Sequence, residues 1–279
     1  MMHPSPPLIF IKLGGSLITD KDNAHTAKPE IIYALACQIQ NFLHLHPLAK
    51  ILVGHGSGSF GHIPASRYQT RKGVKSQEEW QGFLHVWKEA RALNEIVLEQ
   101  FQRCGLPVLS FPAASAVTTE NGVVKQWNIA PMQQALDHGI IPLVFGDVIF
   151  DTVRGGTILS TEEIFHYLCP ILQPDSILIT GIEPGVWEDY PDNTKIIPRI
   201  TPATLHQYED RLKGSKSTDV TGGMYEKVRT LLKLCGSSPT LSIQIFSGFE
   251  QTLNQVLEGC HAGTLLESDK KEENGGNQQ

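Results

Sequence analysis

The 279-residue sequence lacks the features that mark several large classes of protein. It has no basic excess: 23 Lys and Arg face 29 Asp and Glu, and the resulting net charge of −6 argues against a nucleic-acid partner. No apolar run approaches the roughly 18 residues of a membrane span, and residues 1–7 lack the basic and apolar segments of a secretory signal. We therefore expect a cytoplasmic protein that binds neither nucleic acid nor membranes.

Cysteine is sparse, and its spacing forms no recognisable site. The five cysteines are scattered and include no CxxC pair, so neither a disulfide framework nor a zinc site is indicated. We expect them to be reduced and mostly to occupy packing positions; they are Cys37, Cys104, Cys169, Cys235 and Cys260. The sequence also lacks a GxxxxGK[ST] P-loop and the protein-kinase motif set, which excludes those two designs for handling a nucleotide.

Hydrophobic residues make up 41% of the chain, enough for a large core. Short apolar runs of strand length alternate with helical patterns along the sequence. This alternation predicts an α/β protein, with helices covering both faces of a mainly parallel central sheet.

Three glycine-rich segments are candidate phosphate sites, each after a strand or before a helix. The first follows the run Leu8–Leu13, which we expect to bury everything except Lys12, and turns at Gly14 and Gly15. The second, His55–His62, follows another buried run, and the third, Asp219–Met224, opens a helix that carries Lys227. The first and the third also have plain alternatives: a simple turn at a strand edge, and a capped helix with an exposed lysine.

A long helix is predicted from Ser76 to Arg103, with Ser76 and Glu79 forming a capping box. Its apolar positions belong either to the core or, for a few aromatics, to a pocket beside the second glycine segment. They are Trp80, Phe83, Leu84, Trp87, Leu93, Ile96, Val97 and Phe101.

Glycine turns combined with Lys12, Lys21, His62 and Lys227 supply what polyphosphate chemistry needs. Phosphoryl transfer depends on in-line positioning and on neutralising the charge of the transferred group, and lysines and backbone N–H groups provide that neutralisation. His62 adds a side chain that can hydrogen-bond to an oxyanion.

The order of these motifs resembles the amino acid kinase superfamily and, within it, the isopentenyl phosphate kinases. The resemblance spans about Leu8 to Leu266, and its most specific part is the glycine loop ending in Ser59–His62. The matching segments are Lys12–Ser16, Thr19–Lys21, His55–His62, Gly146–Asp147 and Asp219–Met224 with Lys227.

The resemblance implies one domain over residues 1–266, with the α/β/α sandwich of the amino acid kinases. An acceptor-binding lobe would cover about residues 1–170, a nucleotide-binding lobe about 171–266, and a disordered tail 267–279. The implied activity is ATP-dependent phosphorylation of a phosphate monoester, isopentenyl phosphate, with Mg²⁺ held mainly by ATP and no protein metal site. A homodimer is also implied.

The resemblance implies a role for each residue of this chain that matches a family motif. Lys12, Lys21, His62 and Lys227 would be catalytic, with His62 at the acceptor phosphate. The nucleotide contacts would be Lys12, Gly14, Gly15, Ser16, Gly58, Gly222, Gly223 and Lys227. The acceptor contacts would be Gly56, Ser57, His62 and Thr161.

Three positions depart from the family pattern: Ser57 replaces a glycine, Glu162 replaces an aspartate that orients lysines, and Thr180–Trp187 is altered on the adenine side. Two other functions stay open. One is a kinase of the same branch acting on a small phosphonate such as fosfomycin, which a small polar pocket would favour. The other is a non-catalytic ligand-binding protein, which loss of the lysines would have favoured.

Overall fold

The computed structural model describes residues 6–213, 223–238, 240–250 and 252–269. The strands are β1 (Leu8–Leu13), β2 (Lys50–His55), β3 (Val108–Ser110), β4 (Val117–Glu120), β5 (Val123–Trp127), β6 (Ile141–Phe145), β7 (Asp147–Asp151), β8 (Gly155–Leu159), β9 (Ser176–Gly181), β10 (Arg199–Ile200), β11 (Ser242–Ser247) and β12 (Thr264–Leu266). The helices are α1 (Gly15–Ile18), α2 (Pro29–Leu45), α3 (Gly58–Tyr68), α4 (Gln77–Arg103), α5 (Ala130–Asp137), α6 (Thr161–Leu172), α7 (Glu209–Lys213), α8 (Gly223–Ser237) and α9 (Thr252–Leu257).

The central sheet has eight strands in the order β10-β12-β11-β9-β1-β2-β6-β3. Its pairs are parallel except β11 with β12, so the predicted three-layer α/β/α architecture is confirmed. The chain runs outward from β1 in both directions, through β2 on one side and through β9 on the other. Strand order therefore reverses at β1, and the crevice at the carboxyl ends of such strands is where open α/β sheets bind ligands.

Burial on both faces explains why β1 is apolar at every position except Lys12. Phe10 packs into the core on one side of the sheet, with its ring centroid 5.1 Å from that of Phe165 on α6. Ile11 packs on the other side with α2 and α4. A strand covered by helices on both faces has no solvent side, so its sequence need not alternate.

The two long helices begin as predicted. Pro29 is the first residue of α2, and Ser76 caps α4 through the predicted capping box with Glu79. The predicted apolar face of α4 is wrong at Leu84, whose side chain is 51% exposed. The buried stripe instead runs through smaller residues such as Val86 and Ala90.

The prediction that all cysteines are reduced is wrong for two of them. Cys37 on α2 and Cys104 at the end of α4 form a disulfide, with their Cα atoms 5.8 Å apart. The two helices pack against each other and bring together residues that are 67 positions apart in sequence. Sequence spacing does not encode such a distant pairing. Cys169 and Cys235 are buried thiols, and Cys260 is exposed.

A second sheet, in the order β5-β4-β7-β8, lies beside the central one. The hairpin at Gly155–Ile158 was predicted, whereas β4, β5 and the helix α3 were not. At the carboxyl end Glu267 pairs with Arg199, and Asp269 accepts a hydrogen bond from the Ala203 N–H. Residues 270–279 lie outside the described residues, so the disorder expected there stays a prediction.

Candidate active site

A cavity of about 940 Å³ opens at the carboxyl edge of the central sheet. Its floor is formed where β1, β2 and β9 end, at Gly14, Gly56 and Gly181. The first residues of α3 and α6 also line it. Because the first N–H groups of a helix have no intrahelical partner, such a position favours anions.

The first two glycine segments pack directly on each other under this cavity. A Cβ placed on Gly15 would lie 2.6 Å from the Gly58 nitrogen, so no side chain fits there. Gly58 has φ +48°, and a Cβ there would overlap the hydroxyl of Thr19. That hydroxyl accepts a hydrogen bond from the Ser59 N–H at 3.0 Å, which ties the two segments together.

Ser57 is accommodated without strain. Its backbone has φ −79° and ψ −10°, the ordinary right-handed helical region, which any residue adopts. Its side chain covers Gly61, where a Cβ would meet the Ser57 Cβ at 2.5 Å. The serine therefore leaves the loop geometry compatible with an anion.

Two lysines converge on one carboxylate in the cavity wall. Lys12 Nζ lies 2.9 Å from Glu162 Oε1, and Lys227 Nζ lies 3.5 Å from the same oxygen. Burial alone would raise the pKa of Glu162, but the charges of Lys12 and Lys227 lower the pKa to about 2. Glu162 is thus ionised and holds two ammonium groups side by side, as the resemblance implied for the residue at this position.

Lys12 differs from its prediction in one respect. The strand was expected to bury every residue but this one, yet Lys12 is only 5% exposed. The residue lies between β2 and β9 in the sheet, opposite Gly54 and Ile179. Glu162 makes this burial possible, because a buried ammonium group needs an opposite charge.

The start of α6 sets the position of Glu162. Ser160 and Glu163 form a capping box, which fixes the first turn of the helix at the cavity wall. Thr161 lines the cavity, but its hydroxyl donates to the carbonyl of His55 at 2.6 Å. The predicted contact of Thr161 with the acceptor stays a prediction.

One end of the cavity lies between α3 and α4. His62 and Lys21 line it together with the apolar side chains of Ala65, Val86 and Ala90. The aromatic wall considered from the sequence is wrong for Trp80 and Phe83, which pack on Phe150 instead. Small aliphatic residues leave room for a short hydrocarbon chain beside a cationic centre.

The opposite end lies between the segment after β9 and the helices α7 and α8. The Trp187 indole N–H donates to Glu183 at 2.9 Å, and both side chains line the cavity. Tyr190, Arg211 and Met224 complete this wall. The altered segment Thr180–Trp187 therefore shapes the cavity at this end.

The cavity brings together most of the predicted site residues. Those that line it are Lys12, Gly14, Gly15, Ser16, Lys21, Gly56, Ser57, Gly58, His62, Thr161 and Lys227. Gly223 is the first residue of α8 and is not among the lining residues, while residues 219–222 of the third glycine segment, including Gly222, lie outside the described residues.

Several lining residues were not predicted as site residues, among them Arg71 and Asp147. Arg71 lies at the edge of the cavity and pairs with Glu163 at 2.7 Å; a basic residue in a polar loop gives no distinguishing sequence signal. The sequence marks Asp147 only as part of a Gly-Asp motif. Its carboxylate is buried and accepts the N–H groups of Ala114 and Val148, and burial raises its pKa to about 7.

The donor set fits a polyphosphate ligand. It combines buried and half-buried ammonium groups with N–H groups from glycine turns and helix starts around one cavity. Across the four described ranges, no group of three or more His, Cys, Asp or Glu side chains is placed to hold a metal ion. Nor is any helix in the described part of the chain both long and apolar enough to span a membrane.

The fold and the cavity define an α/β protein with a cationic, glycine-lined binding site at the reversal point of its sheet. The sequence pattern of the amino acid kinase family matches residues 7–247. The chain belongs to the amino acid kinase family.

Two similar proteins of this family are both named isopentenyl phosphate kinase. The chain is 34% identical over 233 residues to the isopentenyl phosphate kinase of Haloferax volcanii, covering 81% of this chain and 88% of that protein. It is 29% identical over 233 residues to the isopentenyl phosphate kinase of Methanocaldococcus jannaschii, covering 81% and 87%. A solved structure of an isopentenyl phosphate kinase has the same fold, with a TM-score of 0.78 at 22% identity over 93% of this chain and 99% of that one.

Proposed function

We propose that the protein is an ATP-dependent kinase that phosphorylates isopentenyl phosphate to isopentenyl diphosphate. The observation that carries this proposal is the position of the Lys12–Glu162–Lys227 cluster between two different cavity ends. One end has a histidine and aliphatic walls, and the other has an indole and a methionine. The relatives with this activity, at 29 and 34% identity over most of the chain, support the same assignment.

In the proposed reaction an oxygen of the acceptor phosphate attacks the γ-phosphorus of ATP, and the bond to the bridging oxygen breaks to release ADP. Both partners are anions, so their mutual repulsion is the main obstacle. Lys12 and Lys227 would neutralise the ATP phosphates, and Lys21 the transferred group. His62 would donate a hydrogen bond to the acceptor phosphate.

Glu162 would keep the two ammonium groups next to each other and still leave them able to bind the phosphates. Its charge is already matched by two ammonium groups, so the cluster keeps a net positive charge toward the cavity. Mg²⁺ would reach the site bound to ATP, where it adds further charge neutralisation between the phosphates.

The alternatives fit less well. A small phosphonate such as fosfomycin would leave the aliphatic space around Val86 and Ala90 unfilled. Loss of the lysines would have favoured a non-catalytic binding protein, and Lys12, Lys21 and Lys227 all line the cavity.

A coupled ADP-release assay with ATP and Mg²⁺ tests the proposal. We expect turnover with isopentenyl phosphate and, within the same pocket, with dimethylallyl phosphate, but none with fosfomycin or glutamate. Turnover with fosfomycin alone would refute the proposed acceptor. Binding of ATP without turnover of any acceptor would favour a non-catalytic protein.

The proposal includes three further expectations: the two lobes and the dimer rest on the family resemblance, and the cytoplasmic location rests on sequence composition. The acceptor is bound by the lobe covering about residues 1–170 and the nucleotide by the lobe covering about 171–266. The protein is cytoplasmic, and it is a homodimer. Sedimentation equilibrium of the full chain tests the dimer, and a monomer at micromolar concentration would contradict it.

A further inference from the structure

We propose that His25 is a positioning residue that holds Lys21 at the point of phosphoryl transfer. Lys21 lies on a loop of residues 20–26, here called the Lys21 loop, between α1 and α2. The inference rests on the proposed role of Lys21. His25 belongs neither to the motifs that match the family nor to the residues that line the cavity, so its role would be new.

The Lys21 loop is closed at its base. Thr19 and Ala27 form an antiparallel bridge, and the Asp20 N–H donates to the carbonyl of Thr26 at 2.9 Å. The side chain of Asp20 accepts hydrogen bonds from the Asp22 N–H and from Asn23. These contacts shape the loop internally, but they do not direct it toward the cavity.

His25 makes the contacts that join the loop to the end of the cavity between α3 and α4, here called the acceptor end because the acceptor phosphate is proposed to bind there. Its ring nitrogen Nδ1 pairs with a carboxylate oxygen of Glu89 on α4. Its ring also packs on Phe60 of α3, with centroids 4.3 Å apart. Among the hydrogen bonds of residues 20–26 in the described structure, the one to Glu89 is the only one that reaches α4.

Both partners of His25 are adjacent to residues that line the cavity. Glu89 precedes Ala90, which lines the acceptor end, and Phe60 lies two residues before His62 on the same helix. The backbone of His25 adopts φ +54°, a left-handed conformation that few residues other than glycine take, so the surrounding structure must hold it there. The contacts of His25 therefore relate the position of Lys21 to the two helices that carry the acceptor pocket.

Glu89 has a second histidine neighbour, which provides a matched control. His85 Nε2 lies 3.7 Å from the other carboxylate oxygen of Glu89, one turn earlier on α4. His85 does not belong to the Lys21 loop. Replacing it alters the surroundings of Glu89 but leaves the loop contact in place.

The expected effect is moderate, because His25 is 58% exposed and exposed ion pairs contribute little. We expect His25→Ala to lower kcat about three- to tenfold, the size expected for losing one exposed pair and one ring contact, with KM for both substrates changed less than about twofold. His25→Gln, which can still donate to Glu89, should recover part of the loss. His85→Ala should leave kcat unchanged.

Two measurements decide the inference. In a Lys21→Ala background, His25→Ala should cause no further loss of kcat, since a residue that acts through Lys21 has nothing left to position. The same fold loss in both backgrounds would overturn the proposal.

Hydrogen exchange gives a readout that does not depend on catalysis. The amides of Asp20 and Asp22 should exchange faster in His25→Ala and at the wild-type rate in His85→Ala. Unchanged exchange in His25→Ala would overturn the proposal even if the enzyme is active. Absence of any turnover by the wild-type protein would instead refute the proposed function, and the exchange data would still test the loop contact.

Discussion

Replacing Glu162 with glutamine removes the carboxylate that holds Lys12 and Lys227 together while keeping the size of the side chain. The displacement of the Glu162 pKa from 4.5 to about 2 corresponds, at about 1.4 kcal/mol per pKa unit, to about 3 kcal/mol in favour of the ionised group in the folded state. Lys12 is only 5% exposed, so its charge would be left without a partner in the interior. We expect the free energy of unfolding at pH 7 to fall by about 2–3 kcal/mol.

Urea unfolding with and without ATP tests this reasoning. ATP phosphates would take over part of the role of the carboxylate, so the stability difference between wild type and Glu162→Gln should narrow when ATP is bound. The folded-state pKa lies below the unfolded value, so the contribution of Glu162 is present above about pH 4.5 and is lost as the pH falls toward 2. The variant should lack this loss.

Catalysis should respond differently from binding. Glu162→Gln should lower kcat because the lysines lose their alignment, but it should tighten ATP binding, since a negative charge beside the polyphosphate has been removed. Glu163→Gln is the matched control: glutamine preserves the capping box, and the Arg71 pair is about one-third exposed on each side. Wild-type stability of Glu162→Gln, or a stability gap unaffected by ATP, would refute the account.

Two further predictions concern Ala90 and Asp147, which both line the cavity. Ala90→Phe should fill the aliphatic pocket and raise KM for isopentenyl phosphate at least about tenfold without changing ATP affinity. Leu84→Phe, on the exposed side of α4, is the control and should leave this KM unchanged. Steady-state kinetics with each substrate varied in turn measures both variants. Burial raises the pKa of Asp147 from 3.8 to about 7, so its contribution to stability is greatest below about pH 4 and declines by up to about 4 kcal/mol as the pH rises to 7. Asp147→Asn should therefore gain stability relative to wild type between pH 4.5 and 7.5 in urea unfolding, and a constant difference across that range would contradict the assignment.

Much of the fold was predictable because local signals and burial agree. β1 is apolar except at Lys12 because both of its faces are covered, and α4 begins at a capping box that the sequence shows directly. The helix α3 was not predictable in this way. It contains Gly58, Gly61 and Pro64, all poor helix formers, and it forms because contacts with the first glycine turn and with α4 hold it.

The charged centre of the site was predictable in part. Lysines beside glycine turns indicated a phosphate site, but only the structure shows that Lys12 and Lys227 share the carboxylate of Glu162. The nature of the pocket walls was not predictable. Val86 and Ala90 face the cavity, while the larger aromatic Trp80 on the same helix packs against the second sheet. The direction that each face of a helix takes depends on neighbours that are distant in sequence, as does the Cys37–Cys104 pairing.

The most direct test of the central claim is the product formed from ATP and isopentenyl phosphate, followed by ³¹P NMR with wild type and with His62→Ala. For wild type we predict the two coupled resonances of a diphosphate ester, appearing in step with ADP. For His62→Ala we predict loss of most of this product while ATP binding, measured by calorimetry, stays within about twofold of wild type, since His62 lies at the acceptor end. Release of inorganic phosphate alone by wild type, or equal loss of ATP binding in the variant, would contradict the account.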